Sequence, residues 1–175
     1  KSLQTWKKEA DDGDSKAALW AALVYERKLV PDSSPEKSVP YLLQAAESGN
    51  LTAQGLLAFK YRDGLGVPQD AAKAVEWFEK AASRKDLGAV MELGIMFRDG
   101  KYLPPDREKA FHWFEKGAEW KDPYSMAALA DMLLEGTPSA EQAARALALY
   151  REAAAAGYFP AALKAAELLQ NGKGG

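Results

Sequence analysis

The chain contains no cysteine. Disulfides, thiolate metal sites and a cysteine nucleophile are thereby excluded, while the compartment stays open. Histidine is nearly absent too, with His112 alone. One imidazole cannot build a histidine metal site or complete a nucleophilic triad here, so His112 reads as a surface or half-buried helix residue. Positive charge is not in excess: Lys plus Arg number 23 against 25 Asp plus Glu, a formal charge of −2. Nucleic acid and anionic membranes are gripped by net or clustered positive charge, and neither is an expected partner. No run approaches the roughly 18 to 20 apolar residues of a membrane span. Low-complexity sequence is confined to Lys173-Gly-Gly, which reads as a frayed tail or a cut linker. The opening at Lys1, without Met and part-way through a repeat, reads as a trimmed or mature form whose signal peptide has gone.

What is present is a 36-residue period that runs through the chain without insertion or deletion. Ala17, Ala53, Ala89, Ser125 and Ala161 share one column, and Leu57, Leu93 and Leu129 another. Tyr25, Tyr61, Phe97, Leu133 and Leu169 share a third. Gly64, Gly100, Gly136 and Gly172 keep the spacing, as do Ala74, Ala110 and Ala146 and the pair Trp77 and Trp113. A fixed period of this length is the signature of stacked repeats, each unable to bury its apolar faces alone. With 47% apolar and 27% charged residues over 175 positions, one folded domain is expected. Its parts are a half-repeat 1–12, repeats 13–48, 49–84, 85–120 and 121–156, and a half-repeat 157–175.

Each repeat holds two helices, A and B. In the central one, Val90, Leu93, Gly94 and Phe97 recur at spacings of three and four, which predicts helix A from about Asp86 to Asp99. Gly100 would end it in a left-handed conformation. Asp106 would cap helix B, which presents Ala110, Trp113, Phe114 and Gly117 inward as far as Glu119. The same register predicts helices at 3–10, 15–28, 51–63, 70–83, 123–135 and 158–170. Ser139 with Gln142 forms a capping box for a helix reaching Ala156. The first full repeat departs from the pattern. Lys28 stands where glycine is expected, Ser34 is a cap candidate ahead of Pro35, and Pro40 is expected to bend its helix or delay its start.

Catalytic chemistry finds little support. Asp70 and Asp106 could be acid/base carboxylates, but their 36-residue spacing makes them equivalent helix caps. Gly64-Leu-Gly66 follows a helix, not a strand, and lacks the lysine of a phosphate loop. The aromatics at 77, 78, 113 and 114 sit at repeat-core spacing and read as core before they read as a stacking platform. Arg62-Asp63 and Arg98-Asp99 recur at the ends of successive A helices. They are either solvated helix ends or charges presented along one edge of a binding face.

The columns Ala53, Leu57, Ala58, Tyr61, Gly64, Gly66, Val67, Asp70, Lys73, Ala74, Trp77, Lys80, Ala81 and Ala82 resemble the Sel1-like repeat, a relative of the tetratricopeptide repeats. Ala89, Leu93, Gly94, Phe97, Gly100, Asp106, Lys109, Ala110, Trp113, Lys116, Gly117 and Ala118 repeat it. Tyr102 replaces the second loop glycine, and repeats 1 and 4 lose most of the loop signature. The resemblance implies an all-α fold: a right-handed α-solenoid of stacked antiparallel helix pairs, with helices A lining a concave face. It implies binding and scaffolding rather than catalysis, with another protein as partner and no cofactor or metal. Bacterial members are often periplasmic or envelope-associated, among them export scaffolds and immunity proteins that neutralise effectors; cytoplasmic adaptors are the alternative.

By register with tetratricopeptide repeats, the concave stripe comprises Lys16, Leu19, Leu23, Glu26 and Arg27, then Thr52, Gly55, Phe59, Arg62 and Asp63, then Gly88, Met91, Ile95, Arg98 and Asp99, then Tyr124, Ala127, Asp131, Leu134 and Glu135. Of these, Leu19, Leu23, Arg27, Phe59, Arg62, Asp63, Met91, Ile95, Arg98, Asp99, Tyr124 and Asp131 are the candidate partner contacts. A solvent-facing stripe should be polar, yet Leu19, Leu23, Phe59, Met91 and Ile95 are apolar. Rimmed by arginine, they form the kind of patch that marks a protein-binding groove. The alternative is that part of the stripe packs between neighbouring A helices. Two other functions remain open: self-association through the half-repeat ends, and carbohydrate binding by Tyr102, Trp120 or Tyr124.

Overall fold

The computed structural model describes residues 1–170, and within them every regular element is a helix. In order these are α1 (Leu3–Asp11), α2 (Ser15–Glu26), α3 (Pro35–Glu47), α4 (Leu51–Asp63), α5 (Ala71–Ala82), α6 (Leu87–Asp99), α7 (Arg107–Glu119), α8 (Pro123–Leu133), α9 (Ala140–Ala155) and α10 (Pro160–Gln170). The even-numbered helices are the A helices of the sequence register and the odd-numbered ones the B helices. The chain is thus an all-α repeat protein of the α-solenoid class. Gly172 and the Lys173-Gly-Gly tail lie outside the described residues.

Helix starts follow from short polar side chains. Asp14, Asn50, Asp70, Asp106, Asp122 and Ser139 each accept a hydrogen bond from a first-turn backbone N–H. Ser139 and Gln142 close the expected capping box reciprocally. Ser34 behaves differently from expectation. It precedes α3 but makes no capping bond; its hydroxyl instead serves the Glu36 carboxylate and holds that group below its usual pKa. Pro40 neither delays α3 nor ends it, since the helix starts at Pro35 and carries Pro40 in its interior. Burial of Ser38, Leu42, Ala45 and Ala46 against neighbouring helices outweighs the one backbone hydrogen bond that proline removes.

Helix ends are also set by position. Gly64, Gly100 and Gly136 have φ of +72°, +66° and +74°, and Lys28, in the same column, adopts +52°. The column demands a left-handed residue whether or not glycine supplies it. The last helical residue varies around that column: α4 and α6 run to Asp63 and Asp99, directly before their glycines, whereas α2 ends at Glu26 and α8 at Leu133, each up to two residues sooner than their periodicity predicts.

The chain divides into two compact units, Lys1–Ala89 and Val90 onward. In the first, α1 packs on α2, α2 on α3, α3 on α4 and α4 on α5. Leu42, Leu57, Phe78 and a layer of fully buried alanines form its core. In the second, α7 packs on α8, α8 on α9 and α9 on α10, around Leu93, Phe114, Met126, Leu129 and Met132. Close approach here depends on missing side chains. A Cβ on Gly94 would lie 2.4 Å from the Phe114 ring, and one on Gly117 would lie 2.2 Å from Ser125 Oγ. Trp113, expected inward with Phe114, is only half-buried and lies under the Lys116 ammonium, 5.1 Å from its ring centroid.

Candidate partner-binding face

In the first unit, α2 and α4 carry the predicted stripe. Leu19, Leu23 and Phe59 are half-buried, and Arg27 is exposed at the end of α2. The Phe59 ring meets Phe78 edge-on at 5.1 Å, so one part is anchored in the core. The Arg62 guanidinium lies 4.8 Å from the Phe59 centroid. It also grips Asp63 with two bonds, Nε to Oδ1 at 2.8 Å and Nη2 to Oδ2 at 2.7 Å. The pairing answers the electrostatic problem of an aspartate at a helix C-terminus, because the preceding arginine neutralises it. It leaves an aromatic ring and a paired guanidinium side by side at the helix end.

Behind this face Glu26, which the register assigns to the stripe, turns to an ion-pair partner that sequence reasoning missed, Lys60. Lys60 is 4% exposed. Its Nζ lies 2.6 Å from Glu26 Oε1 and donates to the carbonyls of Leu65 at 3.2 Å and Pro35 at 3.4 Å. The Ser38 hydroxyl donates to the same Glu26 oxygen. A signal existed: Lys60 occupies the column of Val24, Met96 and Met132, all apolar and buried.

In the second unit, Met91 and Ile95 are half-buried on α6. Arg98 Nε donates to Asp99 Oδ1 at 2.6 Å, repeating the Arg62–Asp63 arrangement, and its guanidinium lies 5.6 Å from the Phe114 centroid. Asp99, and to a lesser degree the Tyr124 hydroxyl, raise the Arg98 pKa above its usual value. Tyr124 is therefore joined to this group, with Phe114 at 6.3 Å and Tyr158 at 5.9 Å from its ring.

Asp131 has a different setting. It accepts the Tyr150 O–H at 2.5 Å and the Lys164 ammonium at 2.6 Å on both oxygens. Burial, and then the Asp131 carboxylate, push the Tyr150 phenol well above its ordinary range. These groups line a pocket of about 330 Å³ with Leu134, Pro138, Glu167 and Leu168. Tyr150, Lys164 and Glu167 were not foreseen as site residues. Glu167 was legible in principle, because it stands in the column of Ile95 and Asp131. Along that column of the second unit, apolar character gives way to acid.

The model of the family described as "Sel1 repeat" matches residues 16–50, 52–86, 88–119 and 123–158. The chain belongs to the Sel1 repeat family. Its fold is similar to that of a protective antigen present in uropathogenic Escherichia coli strains and displaying an SLR fold. That match has a TM-score of 0.76 and 29% identity, over 90% of this chain and 34% of that one. A Sel1 repeat protein from Oxalobacter formigenes matches with a TM-score of 0.78 and 26% identity, over 89% of this chain and 64% of that one. This Sel1 chain thus spans about a third of the first relative and under two thirds of the second. No curated protein matches it in sequence. Among the described residues, no cluster of three His, Asp or Glu side chains could hold a metal ion, and no helix is long and apolar enough to cross a membrane.

Proposed function

We propose that this Sel1 repeat chain is a non-enzymatic binding module that holds a segment of another protein along its A-helix stripe. Sel1 repeats are in general protein-interaction scaffolds. The observation that carries the reading for this chain is the recurrence, at the same register in each unit, of half-exposed apolar side chains beside an Arg–Asp fork: Phe59 with Arg62–Asp63, and Met91 and Ile95 with Arg98–Asp99. Apolar anchors supply contact area, and the neighbouring charges orient the segment. In the second unit Asp131 is already paired with Lys164, and the exposed Glu167 further along the column of Ile95 favours a segment with a basic residue beyond its apolar part. We place the chain in the bacterial envelope, as an export scaffold or an effector-neutralising protein; the likeness to a protective antigen supports that placement.

Random peptides displayed on phage and selected on the immobilised protein test the site. The expected binders carry two or more large apolar residues and a Lys or Arg. They lose at least tenfold in affinity to Met91→Asp and to Phe59→Asp, and are unaffected by Glu76→Arg, an exposed change on α5. Circular dichroism confirms that helicity is kept. Binders indifferent to both stripe variants would refute the assignment.

A further inference from the structure

In the second unit a polar group stands where the earlier repeats are mostly apolar. Asp131 and Glu167 occupy the column of Leu23, Phe59 and Ile95. Tyr150 brings a hydroxyl into the column of Trp6, Leu42, Phe78 and Phe114. Lys164 follows Trp20, Leu56, Glu92 and Ala128 in a mixed column. These departures from the repeat meet in one pocket of about 330 Å³, bounded by the end of α8, Pro138, α9 and α10. Tyr150 and Leu168, 2% and 6% exposed, form its floor, and Leu134 and Pro138 are half-buried beside them. Asp131 and Lys164 are half-buried, and Glu167 is exposed at the rim. A pocket this open suits a side chain delivered from outside rather than a small molecule, which would need most of its surface enclosed.

The charges say which side chain. Asp131 accepts the Tyr150 O–H, and both of its oxygens accept the Lys164 ammonium at 2.6 Å. Burial, and then Asp131, keep the Tyr150 phenol protonated, so its O–H remains a donor to that carboxylate. This group is complete without Glu167, which no hydrogen bond or ion pair joins to another described residue. Two carboxylates against one ammonium leave negative charge in excess, and a cation is attracted. An anion would be repelled by Glu167 and would find Lys164 already shared between the Asp131 oxygens.

Leu134, Pro138 and Leu168 offer hydrocarbon to the stem of a long basic side chain, whose charged head stays near the rim. Arginine meets this setting better than lysine. Its guanidinium is weakly hydrated, and its separated N–H groups can engage Glu167 and Asp131 together. A second compact ammonium would compete with Lys164 for a single position.

We propose that this pocket is an arginine subsite, in which Glu167 receives the guanidinium, Asp131 is the second acceptor, and Lys164 sets the affinity by competing for Asp131. The inference deepens the stripe reading and rests on it for the segment that delivers the arginine.

The test titrates N-acetyl-arginine methylamide into the full isotope-labelled chain and follows amide NMR shifts. The probe has no apolar anchor for the stripe. Saturable shifts are expected at Asp131, Tyr150, Lys164 and Glu167, with weaker binding of the citrulline and lysine counterparts. Glu167→Gln should weaken the arginine probe about threefold or more, the scale of an exposed charge pair. Lys164→Met removes the competing cation and should tighten it by a similar factor. An ion pair that only held α10 to α8 would give no such gain. Absence of saturable shifts, equal affinity for either counterpart, or an affinity unmoved by Glu167→Gln would overturn the proposal. Phage-selected peptides separate it from the stripe reading. Peptides that lose affinity to Met91→Asp but not to Glu167→Gln would leave the stripe and remove the subsite. Peptides that lose affinity to Glu167→Gln alone would leave the subsite and remove the stripe.

Discussion

Lys60 and Lys28 are the two places where the first unit departs most from its repeat pattern, for different reasons. Lys60 brings a charge into an apolar column, and Glu26, Ser38 and two backbone carbonyls gather to satisfy it. A buried charge robbed of its partner is costly, whereas replacing the whole pair by apolar groups often is not. Glu26→Gln is expected to destabilise the protein by about 2–3 kcal/mol, discounted because Glu26 stays partly in contact with water. Adding Lys60→Met, which restores the residue type of Met96 and Met132, should recover most of that loss in urea unfolding. Equal losses in the single and double variants would show that the pair is not coupled. Lys28 has a backbone problem instead: an L-residue held at φ +52°. Lys28→Gly is expected to stabilise by about 0.5–1 kcal/mol, the left-handed penalty less the entropy that glycine gains in the unfolded chain. A fall in the urea midpoint would count against it.

Among the elements, the caps carry the response to pH. The backbone N–H groups of Ala17 and Lys16 lower the Asp14 pKa, and that of Lys109 lowers the Asp106 pKa. A carboxylate depressed in the folded state contributes stability in full above its unfolded pKa of about 3.9. The contribution disappears as pH falls through the lower folded value. Asn at both positions can still cap, but it does not titrate. The Asp14→Asn, Asp106→Asn protein should therefore lose stability less steeply than the parent as pH falls below about 4, with little change near pH 7. Chemical denaturation from pH 2 to pH 7 measures this, and parallel curves would show that these caps do not drive acid unfolding. Pro40 belongs to the same scale. Proline weakens α3 locally, and the helix persists because its buried face is worth more than one backbone bond.

For the molecule as a whole, stability in a repeat protein is a sum over units and their neighbours, so an element lacking a neighbour opens first. In the second unit α8 is covered on several sides and nearly every residue is buried, whereas α10 is not. Amides of α10 are expected to exchange at least tenfold faster than those of α8 under native conditions. Equal protection would mean that α10 is covered in solution, by a second copy if the rate depends on concentration.

Sequence alone determined the repeat, its length, the number and order of helices and most of their caps. Each of these is local: a 36-residue column fixes residue type, and a cap or an apolar stripe acts within a few residues. It also chose which A-helix positions to inspect, and the structure finds Leu19, Leu23, Phe59, Met91 and Ile95 neither fully buried nor fully exposed. Only tertiary structure decided the rest. It tied Arg62 to Asp63 beside Phe59, brought Tyr124 to Arg98, buried Lys60 beside Glu26, and joined Asp131 to Tyr150 and Lys164. Glu26 and Lys60 are 34 residues apart, as are Asp131 and Lys164 within one, and such pairings depend on how successive helices stack. The α10 face joins both kinds of knowledge: its apolar columns are written in the sequence, and their exposure among the described residues is read from the structure.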